Sequence, residues 1–163
     1  MGTASFLHLS VGGFTERVAA RTPAPGGGAV AAVTAASAAA LVAMAARFAD
    51  ESAGPAEALR ARLEPLADAD AAAYTEVLAA YRLPADDPTR RTRITDALAT
   101  ATEVPRQVAA AATEVAALAE RLVADGNPNL VGDARVGQLL ARAAAEAATA
   151  LVEINEAAAA RVG

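Results

Sequence analysis

The 163-residue chain has no cysteine, no lysine, no tryptophan and a single histidine. Without cysteine there are no disulfides, no thiolate metal sites and no thiol nucleophile. His8 stands alone in a short N-terminal lead, which excludes a histidine triad or a multi-histidine metal centre. Aromatic residues make up only 3% of the chain, and all fourteen basic residues are arginines, set against nineteen acidic ones for a net charge of −5. A nucleic-acid partner needs a basic face and usually stacking aromatics, so none is expected. Valine and isoleucine never gather into alternating runs, so no strand is expected.

The chain is 55% hydrophobic, and much of that is alanine. Alanine combines the highest helix propensity with the smallest apolar side chain, so the expected fold is an all-α bundle of five to six close-packed helices. The length fits one domain, residues 11–163, preceded by a lead over residues 1–10. That lead lacks a basic start followed by an apolar core, so it does not read as a signal peptide, and a cytoplasmic protein is expected. The stretch from Ala29 to Ala46 carries no charge over nearly the transmembrane minimum. Alanine drives insertion weakly, so an interior bundle helix is favoured over a membrane span. The same small-residue helix, if it lies on the outside, exposes enough apolar surface to predict a homodimer.

Proline and glycine divide the chain. A short helix is predicted over about Val11 to Arg21, with Phe14 and Val18 on one face. Thr22-Pro23-Ala24-Pro25-Gly26-Gly27-Gly28 breaks it and opens the apolar helix, which ends near Asp50 before Ser52-Ala53-Gly54-Pro55. A third helix is predicted from Ala56 to Tyr81, kinked at Pro65. Asp87 as cap and Pro88 at the first position begin a fourth, bent at Pro105 and ending at Asp125-Gly126. After the Asn127-Pro128-Asn129 loop, a last helix begins near Asp133.

Leu59, Leu63, Leu66, Asp70, Tyr74, Val77 and Tyr81 fall three or four residues apart and form one apolar stripe. Glu57, Glu64, Asp68 and Thr75 form a second, polar stripe, which places Asp68 towards solvent. A carboxylate in the buried stripe costs free energy unless it is paired or used, and desolvation raises its pKa. Asp70 therefore reads either as a functional group or as a partner for a neighbouring helix end. Gly26, Gly27 and Gly28 leave amide N–H groups free at a helix start, or simply let two backbones approach. Pro105 leaves the carbonyl of Ala101 without its helical donor. Taken alone, Asn127 is turn chemistry, Asp133 a helix cap, and Arg82 with Arg90, Arg91 and Arg93 a solvated face or an anion-attracting group.

In order and spacing these pieces resemble the formiminotetrahydrofolate cyclodeaminase and methenyltetrahydrofolate cyclohydrolase family. The resemblance rests on Pro23-Ala24-Pro25-Gly26-Gly27-Gly28-Ala29-Val30-Ala31-Ala32 and on Asp68-Ala69-Asp70-Ala71-Ala72-Ala73-Tyr74. Arg82-Leu83-Pro84, Arg90-Arg91-Thr92, Val104-Pro105, Gly126-Asn127 with Asp133, and Ile154-Asn155 follow in order, so it spans about Val11 to Ala157. It implies an all-helical dimer acting on the one-carbon group of tetrahydrofolate, first by methenyl hydrolysis, alternatively by formimino cyclisation with loss of ammonia, or a diverged, weakly active or non-catalytic member that binds another small molecule. No metal and no cofactor beyond tetrahydrofolate as substrate is implied. Asp70 and Asp133 would be catalytic; Gly26, Gly27, Gly28, Asp68, Tyr74, Arg82, Asn127 and Asn155 would bind substrate. Ala29 stands where the family carries serine, Leu151 where asparagine is common, and Phe48-Ala49-Asp50-Glu51-Ser52 is acidic where the family is basic.

Overall fold

The computed structural model describes residues 5–162. They form six α-helices: α1 (Val11–Ala19), α2 (Gly27–Phe48), α3 (Gly54–Leu63), α4 (Leu66–Tyr81), α5 (Arg90–Asp125) and α6 (Val131–Ala160). Short 3-10 turns at Phe6–His8 and Pro128–Leu130 precede α1 and α6, and no strand occurs among the described residues. The all-α bundle expected from composition is the fold observed.

Helix α2 occupies the centre, packing on α3, α4, α5 and α6. Twelve of its twenty-two residues are buried, ten of them alanines, and this explains its lack of charge up to Arg47 in the last turn, which pairs with Glu57 of α3. It is the one helix among the described residues long and apolar enough to cross a membrane, and most of that apolar surface faces the bundle interior. Its outward face is also uncharged, with Val33, Ser37, Ala40, Leu41 and Met44 partly or fully exposed. Small side chains set the helix spacing. A β-carbon on Gly137 of α6 would lie 3.2 Å from Val42 Cγ2 and 3.4 Å from the Ala38 carbonyl oxygen. The larger core side chains, Leu63, Ile94, Val42, Val108 and Val115, fill the gaps left between the alanines.

Three expectations shift. The predicted kinked helix over 56–81 is two helices, because Pro65 has no N–H to continue the ladder and stands as the N-cap of α4. The buried line carries on across the break from Leu59 and Leu63. Ala67, Ala73, Val77 and Ala80 form the buried line of α4, so Asp70 is half-buried while Tyr74 and Tyr81 are exposed. Asp68 does not face open solvent: it is half-buried, and its Oδ1 accepts the Phe6 N–H at 2.9 Å. The N-terminal lead is thereby tied to α4, and the Phe6 ring meets Phe14 edge-on at 6.2 Å. Finally, Asp87 closes a local turn rather than capping α5. Its Oδ1 accepts from the Thr89 N–H at 2.8 Å and the Thr89 hydroxyl at 2.7 Å, so α5 begins at Arg90.

Helix α5 runs unbroken through Pro105 for thirty-six residues, about 54 Å at 1.5 Å per residue. Near its start Ile94 and Leu98 pack with Val77 and Ala80 of α4, and Ala158 and Ala159 of α6 lean on the same cluster. This satellite core gathers α4, α5 and α6 at one end of the bundle. The tight α2–α6 contact carries a prediction. Gly137→Val places two methyl groups where there is room for none, so urea unfolding should show a loss of about 1–3 kcal/mol at unchanged helical content.

Candidate active site

Gly26 caps α2 with extended backbone and offers no side-chain acceptor to the helix it starts. The first-turn N–H groups of α2 therefore need a partner from outside. One is supplied by α4: Asp70 Oδ2 accepts the Ala29 N–H at 3.1 Å. The carboxylate thus stands at the positive end of α2, a favourable place for negative charge. Contact is so close that a β-carbon on Gly28 would overlap the Asp70 carboxyl group itself. Gly28 is required by that approach. Its neighbours Gly26 and Gly27 meet no such obstacle.

The other Asp70 oxygen, Oδ1, accepts no hydrogen bond from the described residues. Burial pushes the Asp70 carboxyl above its ordinary range, and the Ala29 N–H draws it part of the way back. The result is a half-buried carboxyl with one anchored oxygen and one free, suited to giving or taking a proton.

Asp70 lines a cleft of about 340 Å³, within the ~300–1,000 Å³ typical of small-molecule sites. Gly26, Gly27 and Gly28 form one edge and Tyr74 stands beside Asp70. Val77, Leu98, Pro105, Leu151 and Ile154 form the apolar wall, and Asn155 a polar point across it. Six residues singled out by the sequence, Gly26, Gly27, Gly28, Asp70, Tyr74 and Asn155, therefore meet in one place.

The other four do not. Asp68 lies two residues, about 200° of helical turn, from Asp70, and lines a neighbouring cavity with Phe6 and Arg17. Arg82 is exposed at the C-cap of α4. Asn127 donates from Nδ2 to the Phe48 carbonyl at 2.7 Å and accepts the Asn129 N–H at 2.9 Å. It is tied to the C-terminal end of α2, about 33 Å along that helix from the glycines. Asp133 sits in the first turn of α6 without capping it, outside the cleft. Within one chain, neither Asn127 nor Asp133 lines the cleft that holds Asp70. Of the apolar wall, Val77, Pro105, Leu151 and Ile154 stood in a stripe or motif of the sequence, whereas Leu98 looks like any core leucine. No cluster of three or more His, Cys, Asp or Glu able to hold a metal occurs among the described residues.

Known proteins match this sequence and fold across nearly the whole chain. The sequence profile described as formiminotransferase-cyclodeaminase matches residues 10–160. This chain belongs to the formiminotransferase-cyclodeaminase family. A methenyltetrahydrofolate cyclohydrolase from Methylorubrum extorquens is 33% identical, over 87% of this chain and 76% of that protein. The formimidoyltransferase-cyclodeaminase of Mus musculus is 34% identical over 81% of this chain, which spans only 28% of that longer protein. Among solved structures, the formiminotetrahydrofolate cyclodeaminase from Thermotoga maritima superposes with a TM-score of 0.82 at 31% identity. That match covers 91% of this chain and 79% of the other.

Two outcomes follow from the Asp70 geometry in this family member. Because its pKa is raised on folding, Asp70 favours the folded state below about pH 4, and that contribution is lost as pH rises through the raised value. Asp70→Asn should therefore be the more stable protein at neutral pH in urea titrations, with the gap closing on acidification. Gly28→Ala should behave differently, displacing the carboxyl group and lowering both stability and ligand affinity. A Gly28→Ala protein that binds and unfolds like the wild type would refute the close approach.

Proposed function

We propose that the chain is a folate-dependent one-carbon enzyme that hydrolyses 5,10-methenyltetrahydrofolate to 10-formyltetrahydrofolate. The observation that carries this reading is Asp70, with one oxygen anchored at the α2 start and the other free on the cleft. The methenyl bridge is cationic, so a carboxylate beside it attracts substrate. The same group takes the proton from water as the water adds to the bridge carbon, and a raised pKa makes it the stronger base. Ring opening at that carbon then leaves the formyl group on one nitrogen. Tyr74 and the apolar wall suit a flat heterocycle, and the glycine edge leaves amide N–H groups for its polar atoms. Names among the relatives support both this reaction and the cyclodeaminase alternative, in which a protonated Asp70 would give its proton to departing ammonia. No cofactor besides the folate substrate enters either reaction, and we place the enzyme in the cytoplasm.

Turnover is checked by following the methenyl chromophore at neutral pH against its spontaneous loss. Wild-type protein should accelerate the decay, and Asp70→Asn should reduce that acceleration by about 100-fold or more. Absence of both binding and turnover with the wild-type protein would rule out the folate reading.

A homodimer is part of this proposal. Its support comes from α6, where Val136, Leu139, Ala143, Ala147, Ala150 and Ile154 form an exposed stripe at spacings of three and four. Beside it Arg135 and Arg142 occupy the N-terminal half, and Glu146 and Glu153 the C-terminal half. A second copy running antiparallel sets Arg135 against the second copy's Glu153 and Arg142 against its Glu146, with small alanines at the crossing. The stripe ends at Ile154, on the cleft wall. The uncharged outward face of α2, the helix expected to form the interface, extends the apolar surface. Light scattering at micromolar concentration should report a dimer, and Leu139→Glu a monomer of unchanged helical content.

A further inference from the structure

Proline inside a helix removes one N–H, so the carbonyl four residues earlier loses its donor. In α5 that carbonyl belongs to Ala101. A replacement arrives from another helix: Asn155 Nδ2 donates to the Ala101 carbonyl oxygen at 3.0 Å. Pro105 is buried, and Pro105, Ala101 and Asn155 all line the cleft.

The orientation of the Asn155 amide follows from chemistry. A carbonyl only accepts, so the NH2 end must face Ala101 and Oδ1 must turn away from it. No described residue donates to Oδ1. No side-chain oxygen in the described chain is sealed without a partner, so Oδ1 remains open to solvent. Pro105 thus does more than shape α5, because the missing N–H is what leaves the Ala101 carbonyl available to a side chain fifty-four residues away.

We propose that Pro105 is a positioning residue, which reserves the Ala101 carbonyl for Asn155 and so fixes Asn155 Oδ1 as an acceptor on the cleft. The ligand group it fits is an N–H or amino edge of a heterocycle. This inference rests on the reading that the cleft takes a reduced folate. The cleft then distinguishes ligands by an acceptor whose direction is set by Pro105 through the Ala101 carbonyl, rather than by Asn155 alone.

Pro105→Ala restores an N–H that competes for the Ala101 carbonyl, in a residue with high helix propensity. With methenyltetrahydrofolate as substrate, Pro105→Ala should raise KM about tenfold with little change in kcat. Asn155→Ala should do at least as much, and the double variant should be no worse than Asn155→Ala, since the first change acts through the second residue. A direct readout is the Asn155 side-chain amide in ¹H–¹⁵N spectra of free protein, slow to exchange in the wild type and fast in Pro105→Ala. Losses that multiply in the double variant, or an amide unmoved by Pro105→Ala, overturn the proposal. If the wild type neither binds nor turns over the folate, that reading falls while the amide spectra still decide the role of Pro105. Should Pro105→Ala fail to fold, Asn155→Asp puts an acceptor against the same carbonyl at equal size. Wild-type KM in that variant also overturns the proposal.

Discussion

The site depends on one contact, the Asp70 carboxylate against the uncapped start of α2. A helix that opens on three glycines has no side chain of its own to satisfy its first N–H groups. A half-buried carboxylate has lost part of the water that would satisfy its charge. Each supplies what the other lacks, and the contact closes only because Gly28 has no β-carbon. Of the two readings left open by the sequence, Oδ2 realises the helix-end partner, and Oδ1 is left without a protein donor on the cleft.

The arrangement is costly to stability, and its cost shows in the direction of the pKa shift. One N–H bond does not offset the loss of solvent, so the ionised group is disfavoured at the position where a base is wanted. The rest of the bundle tolerates this because its core is so regular. Ten buried alanines on α2 let α4, α5 and α6 approach one central rod, and close packing holds the cleft walls without large side chains. The satellite cluster of Val77, Ala80, Ile94 and Leu98 fixes the ends of those helices next to Asp70 and Asn155.

Much of the fold was legible because alanine content, proline positions and glycine runs act locally. The helix starts and stops at Gly27, Phe48, Tyr81 and Asp125 fall within a few residues of expectation. The phase of α4 was legible in part: Leu59, Leu63 and Val77 are buried as expected, but the small residues Ala67, Ala73 and Ala80 take the rest of the buried line while Tyr74 and Tyr81 are exposed. Asp68 escaped for a different reason: its partner is the backbone of Phe6, sixty-two residues away, and nothing in the periodicity of α4 records it. The link between Pro105 and Asn155 was half legible. A missing helical donor can be read from sequence, but the side chain that replaces it cannot.

Asn127 and Asp133 show why motifs that identify a family do not by themselves locate a site. Helix α2 is long enough for its two ends to be separate chemical problems. Its start needs an acceptor for free N–H groups, and Asp70 provides one. Its end leaves carbonyls without donors, and the Asn127 amide provides one at Phe48. Both are polar side chains brought to the ends of the same apolar rod, so a shared sequence order needs no shared substrate. The cleft can be built only at the first end, where the glycines leave space and the N–H groups are complementary to an anion or a carbonyl oxygen. Asp133, in the first turn of α6, lies outside the cleft of its own chain; the antiparallel α6 pairing proposed above would bring that turn towards Ile154 at the cleft of the second copy.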